Sequence, residues 1–189
     1  MKKYLVKDLM VPLSEYATVS EGATLLETLL ALEKAQEEFQ HTRYSHRAVL
    51  ILDKNKQVIG KLSQLDFLRA LEQENEHIEQ INRISKFGFS PKAIIAFQEK
   101  HRTKSTPIEK TLLTAAKLQV EDFMRFPLEN EYIKENTSLD IAIHQFTTGL
   151  HISLLVTKGK DITGVLRLSD VFAAVFHAMK EGDLKEQAR

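Results

Sequence analysis

Two short blocks of sequence carry the residues best suited to chemistry. In the first block, Ser63 and Asp66 stand three residues apart, shortly after Gly60. In the second block, Arg167 and Asp170 have the same spacing after another glycine. A carboxylate near the start of a helix can accept hydrogen bonds from hydroxyl groups or from the backbone of its own helix. The blocks are therefore candidates both for a binding site and for helix caps.

Signals of catalysis are missing from the sequence. It contains no phosphate-binding Gly-x-x-x-x-Gly-Lys loop, no Gly-x-Ser-x-Gly elbow, no His-Glu-x-x-His helix and no Gly-x-Gly-x-x-Gly turn. Asp140 and His144 stand four residues apart and could form one edge of a metal site, but an exposed pair on a helix is the favoured interpretation. We therefore predict that the protein is not an enzyme and has no metal site.

Charge and composition exclude several classes of partner. The 189 residues include 26 Lys and Arg against 26 Asp and Glu, so the formal net charge is zero and no field attracts nucleic acid or an anionic membrane. The absence of Cys excludes disulfide scaffolds, zinc ribbons and iron–sulfur clusters. The N-terminus lacks the apolar core of a signal peptide, and no apolar run reaches the roughly 20 residues of a membrane span. We expect a cytoplasmic protein without a nucleic-acid or membrane partner.

An internal repeat determines the predicted architecture. Residues 6–10, VKDLM, recur as VEDFM at 120–124, an offset of 114. Further along the chain the offset is 104, which pairs Gly60 with Gly164 and Asp66 with Asp170. The difference of ten residues indicates that the first copy has a longer helix or loop within residues 33–46.

The first copy predicts a helix, two strands and a second helix. Thr24 and Glu27 have the spacing of a capping box at the start of an amphipathic helix. The apolar run at 48–52 indicates a buried strand, and the returning strand from Val58 is interrupted at Gly60.

The second copy predicts the same elements. A helix begins near Ser138, a strand covers 152–156, and a turn follows at 158–160. The final helix has one apolar face, and Gly182 stands where its C-terminal cap is expected.

The repeat divides the chain into four predicted segments. They are a first repeat at 1–71, a helical insertion at 72–117, a second repeat at 118–182 and a charged tail at 183–189. Ser90-Pro91 and Thr106-Pro107 predict two helix starts within the insertion.

The duplicated block and its upstream Val-x-Asp-hydrophobic-Met segment resemble the CBS domain, named after cystathionine β-synthase. The resemblance covers roughly residues 4–71 and 118–181. Two copies imply a tandem pair, or Bateman module, of the α/β (α+β) class: two β-α-β-β-α repeats with pseudo-twofold symmetry, separated here by the insertion. The clefts of this family commonly bind adenosine-containing ligands such as AMP, ADP, ATP or S-adenosylmethionine.

The resemblance gives roles to residues of the first copy. It implies that Ser63 and Asp66 bind the ribose hydroxyls and that Gly60 allows close approach of the backbone. Val11 and Pro12 correspond to the segment beside the adenine. Two structural alternatives stay open at this point, since Asp66 could cap its own helix and Gly60 could be an ordinary glycine of a core strand.

The second copy departs from the family pattern. Arg167 stands where the first copy has Ser63, and it could fill the cleft or bind a phosphate, while Asp170 keeps a possible ribose contact. The family often has a proline where Leu50 and Leu154 stand, which weakens the expectation of the usual adenine contacts.

Three basic residues precede the central strands. His46 and Arg47 in the first copy and His151 in the second are placed by the resemblance at the cleft rim, where they could bind phosphates. Solvated surface positions are the alternative for all three residues.

Two functions follow from the sequence. The leading interpretation is a regulatory protein that binds an adenine nucleotide in the cleft between repeats, with no obligatory cofactor. The alternative is a ligand-free structural module that binds a partner protein through its insertion. The apolar helix faces also predict a homodimer.

Overall fold

The computed structural model describes residues 4–38, 46–73 and 108–187. Its helices and strands follow the predicted repeat order. The helices are α1 (Leu25–Glu38), α2 (Gln64–Gln73), α3 (Ile108–Ala115), α4 (Leu139–Gly149) and α5 (Leu168–Gln187). The strands are β1 (Val11–Pro12), β2 (Thr18–Ser20), β3 (Ala48–Leu52), β4 (Val58–Ser63), β5 (Tyr132–Lys134), β6 (Ser153–Lys158) and β7 (Asp161–Arg167).

The strands form two sheets, one for each repeat. The first sheet has the order β2-β3-β4, and the second has the order β1-β7-β6-β5. Strands β2 and β5 pair in parallel with the central strands β3 and β6, which pair antiparallel with the returning strands β4 and β7. The chain is therefore a mixed α/β pair of repeats, as the sequence predicts.

The segment at the start of each repeat crosses to the sheet of the other repeat. Strand β1 pairs with β7 of the second repeat, so that Val11 lies opposite Val165. The corresponding bridge in the first repeat joins Lys61 to Arg125. Since Arg125 follows Val11 by 114 residues and Val165 follows Lys61 by 104, the two crossings are related by the repeat. They tie the two halves of the molecule together.

The strand register corrects one predicted correspondence between the repeats. Leu50 lies opposite Lys61, and Leu155 lies opposite Val165. Leu50 therefore corresponds to Leu155 and not to Leu154, because ten residues separate Leu50 from its partner Lys61 and nine separate Leu155 from its partner Val165. By the same register, His46 corresponds to His151.

Three apolar clusters form most of the core. One lies within the second repeat around Phe146 and Leu154, and another lies within the first repeat around Leu25 and Ile51. The third contains residues of both repeats, among them Leu50 and Leu155. Apolar burial is the main favourable term in folding, so this shared cluster holds the repeats together.

Some local features predicted for the helices and strands are present in the structure, and others are not. The capping box is present, because the Thr24 amide donates to Glu27 (2.7 Å) and the Glu27 amide donates to Thr24 Oγ1 (3.2 Å). Strand β4 continues through Gly60, so the predicted interruption there is wrong. Helix α5 also continues past Gly182, because one glycine costs a helix only about 1 kcal/mol and helix-forming residues follow it.

Most of the predicted insertion lies outside the described residues. The Ser90-Pro91 and Thr106-Pro107 starts both fall there, whereas α3 is described from Ile108 onward. Within the described ranges, no helix combines the length and apolar character needed to cross a bilayer. Those ranges also contain no cluster of side chains suited to a metal ion.

Candidate functional site

A cavity of about 340 Å³ opens where the two repeats meet. Its walls are mostly apolar and come from the ends of both central strands and from the start of α5. The lining residues are Tyr16, Arg47, Ala48, Ile152, Ser153, Arg167, Leu168, Ser169 and Phe172. This "open cleft" contains two of the residues singled out by the sequence, Arg47 and Arg167.

Arg167 forms an ion pair with Asp170, the aspartate of its own block. Its Nε donates to Asp170 Oδ2 (2.6 Å) and its Nη2 donates to Asp170 Oδ1 (2.7 Å). Such a two-pronged pair is strong and geometrically specific. Arg167 is only 5% exposed, so this ion pair forms part of the floor of the cleft. A ribose contact to Asp170 requires this pair to rearrange.

Tyr16 and His46 lie beside that ion pair. Their ring centroids are 4.6 Å apart in an edge-to-face arrangement, and both residues are buried. Burial lowers the pKa of His46 to about 4, and the positive charge of Arg167 acts in the same direction. Burial also raises the pKa of the Tyr16 phenol well above its usual value. His46 is therefore uncharged near pH 7 and does not lie at the rim.

The other two basic residues have different positions. Arg47 is exposed and lines the open cleft. His151 is partly buried and is not among the lining residues of the open cleft. Its imidazole instead occupies the space where a side chain at Gly149 would be, because a Cβ there would clash with the ring.

Val11 and Pro12 do not lie beside Ser63 and Asp66. They belong to β1, which pairs with the second sheet, and Val11 is buried in the shared cluster with Tyr16. The assignment of Val11 and Pro12 to the segment beside an adenine stays a prediction. The sequence cannot show this crossing, because strand pairing between distant segments leaves no local pattern.

Gly60 allows close packing in the protein core. A Cβ added at Gly60 would overlap the side chain of Met124, and one added at Gly164 would overlap the backbone oxygen of Val11. Each glycine thus makes room for the segment that crosses from the other repeat. The close approach predicted for a ligand at Gly60 is made by Met124.

Ser63 and Asp66 form a cap for helix α2. The Ser63 amide (3.0 Å) and Oγ (2.5 Å) both donate to Asp66 Oδ2, and the Asp66 amide donates back to Ser63 Oγ (3.2 Å). This reciprocal arrangement is a capping box in which Ser63 is the cap residue. The structural alternative for Asp66 is therefore present, with the serine and not the aspartate as the cap.

Two arginines also bind the Asp66 carboxylate. Arg125 Nε lies 3.0 Å from Oδ1 and 3.1 Å from Oδ2, and Arg69 Nη1 lies 3.2 Å from Oδ1. Burial alone would raise the pKa of Asp66, but the hydrogen bonds from Ser63 and Arg125 outweigh it and the pKa is lowered. Ser63, Asp66 and Arg125 thus form one hydrogen-bonded cluster at the start of α2.

A second ion pair includes Lys61, whose backbone bridges to Arg125. Lys61 Nζ is 2.6 Å from Glu131 Oε1, and both side chains are buried. Burial would raise the pKa of Glu131, but the hydrogen bonds from Lys61 and from the Leu128 amide outweigh it and lower the pKa. The pair joins β4 of the first repeat to the segment that precedes β5 of the second.

Several of these residues were not found from the sequence. Arg125, Lys61 and Glu131 are charged where the other repeat has Val11, Val165 and Ala17. This difference between the copies was a usable signal. Tyr16, Ser153, Ser169 and Phe172 have no such signal, because only the folded arrangement brings them to one cavity.

The chain matches a known protein family over most of its length. The family model described as "CBS domain" matches residues 6–73 and 120–177, more than half of the chain. No curated protein matches at a significant level.

Three similar solved structures illustrate the fold. The CBS-domain containing protein ATU1752 from Agrobacterium tumefaciens is 15% identical, with 92% of this chain and 94% of that one covered and a TM-score of 0.57. CBSX2 in complex with AMP is 19% identical, with 93% and 98% covered and a TM-score of 0.56. A putative acetoin utilization protein (AcuB) from Vibrio cholerae is 17% identical, with 98% of both chains covered and a TM-score of 0.56. Two matched regions and two crossed, symmetry-related repeats lead to one conclusion: the chain belongs to the CBS domain family and is a tandem CBS pair.

Proposed function

We propose that this CBS pair is a non-catalytic regulatory module that binds an adenine nucleotide in the open cleft. The observation that carries the proposal is the cavity of about 340 Å³ between the repeats, with apolar walls and an arginine at its edge. Pockets for small ligands span about 300–1,000 Å³, so this one suits a mononucleotide better than a larger ligand. The AMP complex of CBSX2, a protein of the same fold, supports the same class of ligand.

The lining residues suggest how such a ligand is held. The aromatic rings of Tyr16 and Phe172 offer apolar surfaces for a base, and Phe172 is 64% exposed. The hydroxyls of Ser153 and Ser169 can bond to the ribose. Arg47 is the exposed cation of the cleft and supplies the charge-assisted contact that a phosphate needs.

Thermal unfolding in the presence of nucleotides tests the proposal. A ligand at a hundred times its dissociation constant stabilises by about 2.7 kcal/mol, which raises the Tm of a protein of this size by about 5–10 °C. We expect such a shift with AMP and weaker shifts with ADP, ATP and S-adenosylmethionine. No shift with any of the four ligands at millimolar concentration would contradict nucleotide binding.

The Arg47→Ala variant tests whether Arg47 binds the phosphate of the nucleotide. The loss of one charge-assisted bond should weaken AMP binding about tenfold or more and leave adenosine binding nearly unchanged. Lys54→Ala is the matched control, because Lys54 is an exposed cation in the turn after β3. Equal loss in both variants would indicate a general charge effect and not a contact.

A ligand-free interaction module is the second candidate function. Its support is the pairing of both block aspartates with arginines, Asp66 with Arg125 and Asp170 with Arg167. In that case a partner protein is bound through the 72–117 segment. The absence of nucleotide binding, together with loss of a partner when that segment is replaced, would favour this candidate.

Assembly as a homodimer completes the proposal. Large apolar side chains are exposed on helices of both repeats: Leu26, Leu29, Leu30, Leu65, Leu68, Ile141, Leu168, Phe172, Phe176 and Met179. A second copy of this chain, whose formal net charge is zero, is the occupant that we propose for these faces. Phe172 belongs both to the open cleft and to this surface, so nucleotide binding has a direct route to the dimer contact.

A further inference from the structure

A second cavity, of about 330 Å³, opens between α1 and α2 of the first repeat. It shares no described lining residue with the open cleft. We call it the "helix groove". Its inner wall is buried, and its edge is formed by two exposed leucines, Leu29 and Leu68. The lining residues are Thr28, Leu29, Leu32, Val49, Leu62, Ser63, Gln64, Phe67 and Leu68.

The polar side chains of the helix groove offer a buried ligand no partner of their own. Thr28 Oγ1 donates to the carbonyl oxygen of Thr24 (2.8 Å), and Ser63 Oγ donates to the Asp66 carboxylate. Gln64 is exposed, and none of the lining residues that the structure describes is charged. Because a buried charge or an unpaired polar group is costly, the groove favours an uncharged, apolar occupant.

The second repeat has an aromatic ring at the corresponding place. The repeat offset of 114 pairs Leu32 with Phe146. Phe146 is only 3% exposed and packs in a single apolar cluster with Leu154 and Leu166. The ring therefore joins its helix, the central strand and the returning strand in one core.

The core of the first repeat lacks this continuity. By the strand register, Val49 and Leu62 correspond to Leu154 and Leu166. Leu32 and Val49 nevertheless lie in one apolar cluster and Leu62 lies in another. The helix groove is bounded by residues of both clusters. It therefore lies where an aromatic ring completes the core of the second repeat.

From this comparison we propose that the helix groove binds an uncharged aromatic ring, either a free compound or the apolar end of a small molecule. The groove volume falls within the range of small-ligand pockets, about 300–1,000 Å³, and apolar cavities of about 150 Å³ already bind benzene. Leu29 and Leu68 also belong to the faces proposed for a second copy, so the ring lies beneath the edge of that surface. The site is separate from nucleotide binding and does not depend on it.

Titration with toluene, followed by NMR of the Leu and Val methyl groups, tests the proposal. We expect saturable shifts of the Leu32, Val49 and Leu62 methyl signals in the wild type. Toluene at ten times its dissociation constant should also raise the Tm by about 3–6 °C. Benzoate, a charged ring of similar size, should bind at least tenfold more weakly, because burial of its carboxylate is costly.

Leu32→Phe copies the second repeat and should abolish toluene binding, because the chain's own ring then fills the groove. Leu30→Phe is the matched control, since it makes the same change in the same helix at a position that is 53% exposed and does not line the groove. It should bind toluene like the wild type. If Leu32→Phe does not fold, as judged by circular dichroism, Leu32→Phe with Phe67→Val replaces it, because this variant reproduces the pair Phe146 and Val171 of the second repeat.

Four outcomes overturn the proposal. The first is a wild type without saturable methyl shifts, which would mean that a second copy or another part of the chain covers the groove. The second is toluene binding that persists in Leu32→Phe or in its replacement, and the third is equal affinity for benzoate. The fourth is a lower mass of Leu32→Phe than of Leu30→Phe by light scattering, which would assign the groove to a second copy.

Discussion

The buried imidazole of His46 makes the stability of this molecule depend on pH. His46 has a pKa of about 4, well below the usual value near 6.5, so the unfolded chain binds more protons between these two pH values. Stability is then greatest above pH 6.5 and falls as the pH decreases toward 4, by up to about 1.4 kcal/mol per pH unit for one proton.

We expect urea unfolding between pH 7 and pH 4.5 to show this loss. His46→Phe is the informative variant, because it keeps a ring against Tyr16 and cannot be protonated. Its free energy of unfolding should depend less on pH than that of the wild type. Identical pH slopes for the two proteins would contradict a buried neutral His46.

The Lys61–Glu131 pair gives a second prediction at the scale of single residues. Lys61→Met leaves Glu131 buried without its cation, and removal of one partner of a buried pair costs about 3–5 kcal/mol. Replacement of both residues, as Lys61→Met with Glu131→Leu, should recover most of that loss, because no buried charge remains.

A double-mutant cycle by urea denaturation measures this coupling. The expected result is a double variant within about 1–2 kcal/mol of the wild type, well above the Lys61→Met single variant. Additive losses from the two single substitutions would show that the side chains are not coupled as the distance indicates.

At the scale of elements, the two glycines opposite the crossing segments should differ in tolerance. A methyl group at Gly164 would meet the backbone oxygen of Val11, whereas one at Gly60 would meet the flexible side chain of Met124. We expect Gly164→Ala to lose about 1–3 kcal/mol through overpacking and Gly60→Ala to lose less. Thermal denaturation of the two variants provides the comparison, and a larger loss for Gly60→Ala would contradict the described crossing of β1.

The elements that could be predicted are those specified by nearby residues. The capping box at Thr24 and Glu27, the strand at 48–52 and the repeat itself follow from local patterns, and all are present. The end of α5 was predicted wrongly, because a glycine is a frequent but not an obligatory stop.

The candidate site was less predictable because its contacts are distant in sequence. Arg125 and Asp66 are 59 residues apart, and Lys61 and Glu131 are 70 apart. No periodicity connects such pairs, so Arg125, Lys61 and Glu131 could not be found from a local pattern. The sequence shows that Arg167 stands in the second copy where the first has Ser63. Only the structure shows that Arg167 forms an ion pair with Asp170.

For the whole molecule, the exposed helix faces predict a dimer. Light scattering at micromolar concentration should give twice the mass of one chain, 21.6 kDa, if these faces are paired. Phe176→Asp places a charge on an exposed apolar position of α5 and should shift the mass toward one chain. A wild-type monomer would mean that another partner covers these faces.

We propose above all that the open cleft of this CBS pair binds the nucleotide. A crystal structure of the protein grown with saturating AMP tests it most directly. We expect AMP in the cavity lined by Tyr16, Arg47 and Phe172, with Arg125 still bound to Asp66. No AMP in that cavity, or AMP bound at Asp66 in place of Arg125, would contradict the proposal.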